Sequence, residues 1–247
     1  MPGTRYLRFK QRLPRWLRSS LSVLNQAFFA RRTLQRKYGS WFDVDWRKHY
    51  KNLSDKEWKA AYDSAWQHHM NDCVEETDAE LFLGALGDCR TVLDVGCGIG
   101  TLAVTLAKNG YQVSGVDVSA EALRMAADRA RESGVHIDWH EGFAEHLPFK
   151  DGSFDCVVST HTIEHVKDLR DVVREFKRVA KKRILVLTPK QEFKRYMDNY
   201  HTQFFDTREA LVDAFGLSRS ECREVDCIDH HNEFQGKAWF YSASLES

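Results

Sequence analysis

The sequence predicts an α/β fold built on a doubly wound sheet, and three observations predict it. An apolar, β-branched run, Thr91-Val-Leu-Asp-Val95, passes into glycines at alternate positions, Gly96, Gly98 and Gly100, and then into Thr101-Leu-Ala-Val-Thr-Leu-Ala107. That is strand, tight turn and helix, with glycine where the backbone needs unusual φ/ψ and a ligand must approach without a Cβ in the way. A second run, Val113-Ser-Gly-Val116, ends on a lone acid, Asp117, roughly 20 residues after the first glycine, which is the spacing of a first βαβ nucleotide-binding unit. From 91 to 189, continuous apolar runs alternate with helical segments. Such runs suit strands covered on both faces, and regular βα alternation suits a parallel sheet.

Taken in order, the chain opens on a basic leader. Residues 1–42 hold ten Lys/Arg and no Asp or Glu, leaving 26 basic and 36 acidic residues in the remainder. The zero net charge therefore divides into about +10 and about −10, an asymmetry that points to an anionic partner or to self-docking. After Pro14, Leu17, Leu21, Leu24 and Phe28 fall at helical spacing, with Arg15, Arg18, Ser19, Ser22 and Asn25 opposite and Trp16 at the boundary. The favoured reading is a helix that packs its apolar stripe on the catalytic domain or across a homodimer and turns its Arg-rich face outward. An anionic membrane surface is the second reading. A transit peptide is the third, against which Ser is sparse beyond 19–22 and nothing marks a cleavage site.

Residues 41–83 are rich in aromatics: Trp41, Phe42, Trp46, Tyr50, Trp58, Tyr62 and Trp66. Aromatics there could contact a bound ligand, but seven tryptophans in the chain read mostly as core packing, so no site residue is assigned there. Ser54 and Glu57 match a capping box that starts a helix. The division expected is a leader and helical cap over 1–83 and a catalytic domain over 84–247. Within the latter, strand 91–95 leads to helix 100–109, stopped by Asn109-Gly110. Strand 112–117 leads to a helix capped by Ser119 and ending at Ser133-Gly134. Strand 135–139, loop 141–153, strand 154–159, helix 167–180 and the buried strand 184–189 follow. Thr207 caps a helix to Phe215-Gly216, and extended runs near 221–228 and 236–244 complete seven strands.

Asp94-Val-Gly-Cys-Gly-Ile-Gly100, with Asp117 downstream, resembles the class I S-adenosylmethionine (SAM)-dependent methyltransferases of the broad small-molecule type. The resemblance runs from about Thr91 to Pro189. It implies a Rossmann-like sheet, an antiparallel C-terminal hairpin and an N-terminal helical cap over a pocket for SAM, with S-adenosylhomocysteine as product. It also implies a cofactor set of Asp94, Gly96, Cys97, Gly98, Gly100, Asp117, Val118, Phe143, Ala144, Glu145 and Thr160. In that set Asp117 holds the ribose, Val118 packs on the adenine, and residues 143–145 contact the adenine. The dinucleotide spacing G-x-G-x-x-G is absent, which counts against a dehydrogenase.

Methyl transfer from a sulfonium needs positioning and a suitable electrostatic environment, and a hydroxyl or protonated amine needs a base as well. Histidine is the natural base near neutral pH. His161, just past the fourth strand, is the first candidate and His201 the second; His230 and His231 would serve only if the final hairpin folds over the pocket. His161, Glu164 and His165, at i, i+3, i+4, would share one side of a helical turn. Ubiquinone-type O-methyltransferases carry a similar segment with two carboxylates and a histidine that bind a divalent metal, but here His161 stands at the first carboxylate position. Ile163-Glu-His-Val166 equally resembles the metal-free branch, and the expectation is no metal.

Other features narrow the class. No run approaches 18 apolar residues, and Arg and Lys interrupt any signal-like segment, so neither a spanning helix nor secretion is expected. Six cysteines (Cys73, Cys89, Cys97, Cys156, Cys222, Cys227) form no C-x-x-C pair, consistent with reduced thiols in a cytoplasmic protein, at most peripheral to the membrane. The leading function is methyl transfer to an oxygen or nitrogen of a small-molecule, glycan or lipid-linked acceptor. The alternatives are an RNA or protein methyltransferase and a catalytically silent partner subunit. Strand four ends in Ser-Thr-His-Thr rather than Asn/Asp-Pro-Pro-aromatic and the body is acidic, so nucleic acid is not the expected partner. The glycine turn is intact, which ranks the silent subunit last.

Overall fold

The computed structural model describes residues 28–68, 74, 76–229 and 234–245. The helix expected after Pro14 lies outside them, except for its last apolar position, Phe28, as do Cys73, His230 and His231. The chain divides into two compact units: residues to His49 with Lys194–Tyr200, and Tyr50–Phe193 with His201–Ser247.

In the first unit, helix α1 runs through 28–38 and a single turn, α2, through Trp46–His49. Aromatic packing holds them. Phe42 stacks on Tyr200 at 5.0 Å, and Tyr38 tilts against Phe42 at 4.6 Å. The Trp46 indole N–H donates to the Tyr200 carbonyl at 3.0 Å, and the Arg47 guanidinium donates to the Asn199 carbonyl at 3.1 Å.

The second unit begins with a 3-10 turn, Tyr50–Asn52, and helices α3 (Asp55–Gln67) and α4 (Glu76–Ala85). The capping box is present: Glu57 N–H donates to the Ser54 hydroxyl, and Ser54 N–H donates back to the Glu57 carboxylate at 2.8 Å. Then come β1 (Thr91–Val95), α5 (Thr101–Lys108), β2 (Gln112–Asp117), α6 (Ala120–Glu132), β3 (Asp138–Glu141) and β4 (Phe154–Thr160). A 3-10 turn, Ile163–His165, precedes α7 (Leu169–Val179), β5 (Ala180–Pro189), α8 (Arg208–Phe215), β6 (Ser220–Asp229) and β7 (Phe234–Ser244). The sheet order is β3-β2-β1-β4-β5-β7-β6. Pairing is parallel through β5, and β7 runs antiparallel to both β5 and β6. One core, including Leu93, Val157, Phe176, Ile184 and Phe215, covers one face, and a second, including Val92, Leu102, Leu106, Val158 and Leu185, covers the other. Burial on both faces is why these strands read as unbroken apolar runs.

Two strands differ from their expected bounds by three residues or more. The third lies at 138–141, not 135–139, because Val135 N–H turns back to close α6 on the Ala130 carbonyl at 3.1 Å. Its register sets Trp139 opposite Gly115, where a side chain would put Cβ 2.4 Å from the indole, so Gly115 is what lets the ring lie on β2. The fifth strand starts at Ala180, directly after α7, and carries Lys181, Lys182 and Arg183 on a segment with no apolar signal. Pairing dictates that extension, with Phe154 opposite Ala180 and Arg183 opposite Ser244.

Candidate active site

The sheet order reverses between β1 and β4, and ligands in open α/β sheets gather outside the carboxyl ends of strands at such a point. After β1 the chain turns sharply, with Gly96 N–H and Cys97 N–H both donating to the Val116 carbonyl, at 2.8 and 3.1 Å. Gly96 has φ +70, and a Cβ there would stand 2.1 Å from the Thr162 methyl. Only glycine allows both the turn and that approach. Thr162 in turn donates its hydroxyl to the Gly96 or Thr160 carbonyl, each at 3.1 Å, which ties the loop after β4 to the turn after β1.

Asp117 closes the turn from the other side. One carboxylate oxygen accepts from Gly98 N–H and the other from Ser119 N–H, each at 2.9 Å. Burial pushes its carboxyl upward, and the Ser119 and Gly98 N–H groups oppose that. Each oxygen keeps acceptor capacity toward the cavity, since an ionised carboxylate offers about four lone-pair sites.

The cavity is an open cleft of some 640 Å³ of non-protein space, solvent at its mouth included. It is lined by Gly96, Gly98, Asp117 and Val118 from the first two strand ends, by Gly142, Phe143, Ala144 and Glu145 after β3, and by His161, Thr162, His165 and Val166 after β4. Trp58, Tyr62 and Trp66 face it from α3. Glu145 directs its carboxylate to Lys167 N–H at 2.9 Å, so it braces the neighbouring loop as well as lining the cavity. The Lys167 ammonium donates to the Leu53 carbonyl at 2.8 Å and lies 5.1 Å over the Trp58 ring, fastening the start of α3 at the rim.

Of the expected set, Gly96, Gly98, Asp117, Val118, Phe143, Ala144, Glu145 and His161 line the cavity. Asp94, Cys97, Gly100 and Thr160 do not appear in its lining. Asp94 is buried in β1 between Gly115 and Val158, the Cys97 sulfur faces Gly115, and Gly100 lies under Trp139. Thr160 is buried at the end of β4. His201 is also outside the lining; its ring meets His165 edge-on at 4.6 Å, and its Nδ1 lies 2.5 Å from the Gln191 side-chain oxygen.

A buried polar cluster stands behind His161. Glu164, 2 % exposed, accepts from the Thr188 hydroxyl at 3.0 Å and faces His161 Nδ1 at 3.5 Å. Its burial acts to raise the carboxyl, but the His161 hydrogen bond and the charges of His165, His161 and His201 outweigh it, holding the group at about 2. The expected helical face does not form, because His161 has φ +52 and sits before a 3-10 turn rather than in an α-helix. Among the described residues, the donor atoms within 4.8 Å of one another are those of Glu164, His165 and His201. His201 thus takes the place that His161 held in the alternative metal set, where the expectation was no metal.

The sequence left the aromatics before the first strand unassigned, and the structure sets three of them, on α3, at the cavity. Their signal was the i, i+4, i+8 spacing of Trp58, Tyr62 and Trp66, which places three rings on one helical face. Thr162 carried no signal before the turn was built.

A family model described as a methyltransferase domain matches residues 93–187. A ubiquinone biosynthesis O-methyltransferase from Sodalis glossinidius is 38% identical over 115 residues, which are 46% of this chain and 45% of that protein. A norajmaline N-methyltransferase from Rauvolfia serpentina is 39% identical over 94 residues, 37% of this chain and 32% of that one. The chain thus spans less than half the length of these curated relatives. Among solved structures, a geranyl diphosphate C-methyltransferase from Streptomyces coelicolor, in complex with Mg2+, geranyl diphosphate and S-adenosyl-L-homocysteine, superposes with a TM-score of 0.56. Its sequence identity is 20%, over 69% of this chain and 79% of that chain, a likeness of fold.

Proposed function

We propose, for a chain that carries a class I SAM-dependent methyltransferase domain, that it transfers a methyl group from SAM to an oxygen or nitrogen of a small acceptor, free or borne on a glycan or lipid. The observation that carries the reading is the glycine turn closed by Asp117, whose carboxylate bonds Gly98 N–H and lines a cavity that His161 also lines. The residues fit SAM. Asp117 is an acceptor-only group, matched to a diol that donates; Val118 and Phe143 offer apolar surface for a purine; and the turn presents backbone to the amino-acid end.

Bound there, SAM supplies a methyl group already activated as a sulfonium. The protein's part is to position, to exclude water and to move one proton. Trp58, Tyr62 and Trp66 exclude water on the α3 side. His161 takes the acceptor's proton on its ring, and Glu164, facing Nδ1, orients that ring. The buried, unbridged Cys89, Cys97, Cys156, Cys222 and Cys227 support a reducing, cytoplasmic setting. No helix among the described residues is long and apolar enough to cross a membrane.

Calorimetry with S-adenosylhomocysteine tests the cofactor, and an acceptor screen with labelled SAM tests transfer. Absence of heat with a folded protein overturns the reading. Labelling of RNA or of a protein, with none of small acceptors, favours the second reading that the basic leader raises.

A further inference from the structure

We propose that the exposed face of α1 docks the protein on an anionic lipid surface. Phe28 and Phe29 are 58% and 61% exposed, packed edge-to-face at 6.0 Å. At about 100° per residue, Phe28, Phe29, Arg32 and Arg36 fall within an arc of about 100°. All four are exposed, whereas Ala30, Leu34 and Tyr38 on the opposite side are partly buried. That opposite side is anchored, because Tyr38 meets Trp41 and Phe42, and Arg31 pairs with Asp45 at 2.7 Å. The helix is therefore held with two phenylalanines and two guanidiniums pointing away from its own unit.

The charge identifies the occupant. Among the described residues no carboxylate pairs with Arg32 or Arg36, while Lys37 reaches Asp198 at 3.6 Å from the flank. Every charged side chain of α1 is cationic, so a second copy apposed through this face would bring like charges together. Phenylalanine beside arginine is the combination that inserts rings at the acyl boundary and leaves guanidiniums among anionic headgroups. Two exposed phenylalanines beside the guanidiniums favour acyl chains over a nucleic-acid groove. Phe28, expected to pack inward, thus belongs to the outward face.

The test is co-sedimentation of the full chain with phosphatidylcholine vesicles, with and without phosphatidylglycerol, at low and high salt. Binding is expected only to the anionic vesicles and is expected to weaken as salt shortens the screening length. In the Arg32→Gln/Arg36→Gln variant the partition coefficient should fall by about 25-fold, from about fivefold for each charge. Phe28→Ser/Phe29→Ser should reduce it about tenfold or more while leaving circular dichroism and S-adenosylhomocysteine calorimetry unchanged. Equal binding to both vesicle types, or variants that bind like the parent, overturns the proposal. So does a dimer in sedimentation velocity that the Phe28 and Phe29 substitutions dissolve, or single-stranded RNA binding that displaces the vesicles. Because the calorimetric arm is separate, loss of lipid binding leaves the methyltransferase reading intact.

Discussion

Replacing Glu164 by Gln removes the charge from the buried cluster and keeps its shape. Folding lowers this carboxyl from 4.5 to about 2, even though burial alone would raise it. The difference corresponds to about 3 kcal/mol of native-state preference for the ionised form. It is in the range for removing one member of a buried ion pair, about 3–5 kcal/mol. The folded value lies below the unfolded one, so the stabilisation is fully present above pH 4.5 and is lost as pH falls from there to about 2. Glu164→Gln should therefore unfold at lower urea at pH 7, with the gap closing steadily toward acid because the variant lacks that limb of the curve. Unfolding followed by tryptophan fluorescence across this pH series measures it. Two parallel curves, or a gap below about 1 kcal/mol at pH 7, would refute the view that the three imidazoles hold Glu164 ionised.

Asp117→Asn should weaken S-adenosylhomocysteine binding by about 10- to 100-fold, the loss of a charged hydrogen-bond acceptor; unchanged affinity in calorimetry rejects its ribose role. Gly96→Ala should cost about 2–5 kcal/mol from left-handed strain and overlap with Thr162. Adding Thr162→Gly should restore part of that, and a melting temperature that ignores the second change refutes the overlap. His161→Gln should lower turnover about 10²- to 10⁴-fold at constant cofactor affinity, while His201→Gln, outside the cavity lining, should change it far less; equal losses would move the base. Activity should persist in chelator, and loss restored by a divalent ion would assign Glu164, His165 and His201 to a metal.

The local grammar of this chain was sufficient for its sheet and for much of its cavity. Runs such as Ile184–Leu187 are apolar because both faces are covered, and Gly96, Gly98 and Asp117 announce a tight turn at a strand end because backbone geometry and a strand-end acid are short-range facts. Ser54 with Glu57, Ser119 and Thr207 each marked a helix start through a bond that spans three residues. What stayed hidden depended on distant partners. Strand β5 extends back to Ala180 because β4 pairs with Ala180 and Arg183 and β7 with Arg183, which residue type at those positions does not encode. Asp94 and Cys97 share the glycine motif with Gly98, yet both are buried beside Gly115, outside the cavity lining. Trp58, Tyr62 and Trp66 read as core until α3 set their shared face toward the turn. His161 and His201, 40 positions apart, looked alike as bases; only the fold put one on the cavity and the other behind His165. Sequence spacing describes one strand or one helical face at a time, whereas a cavity is made where several elements end, and that convergence is a property of packing.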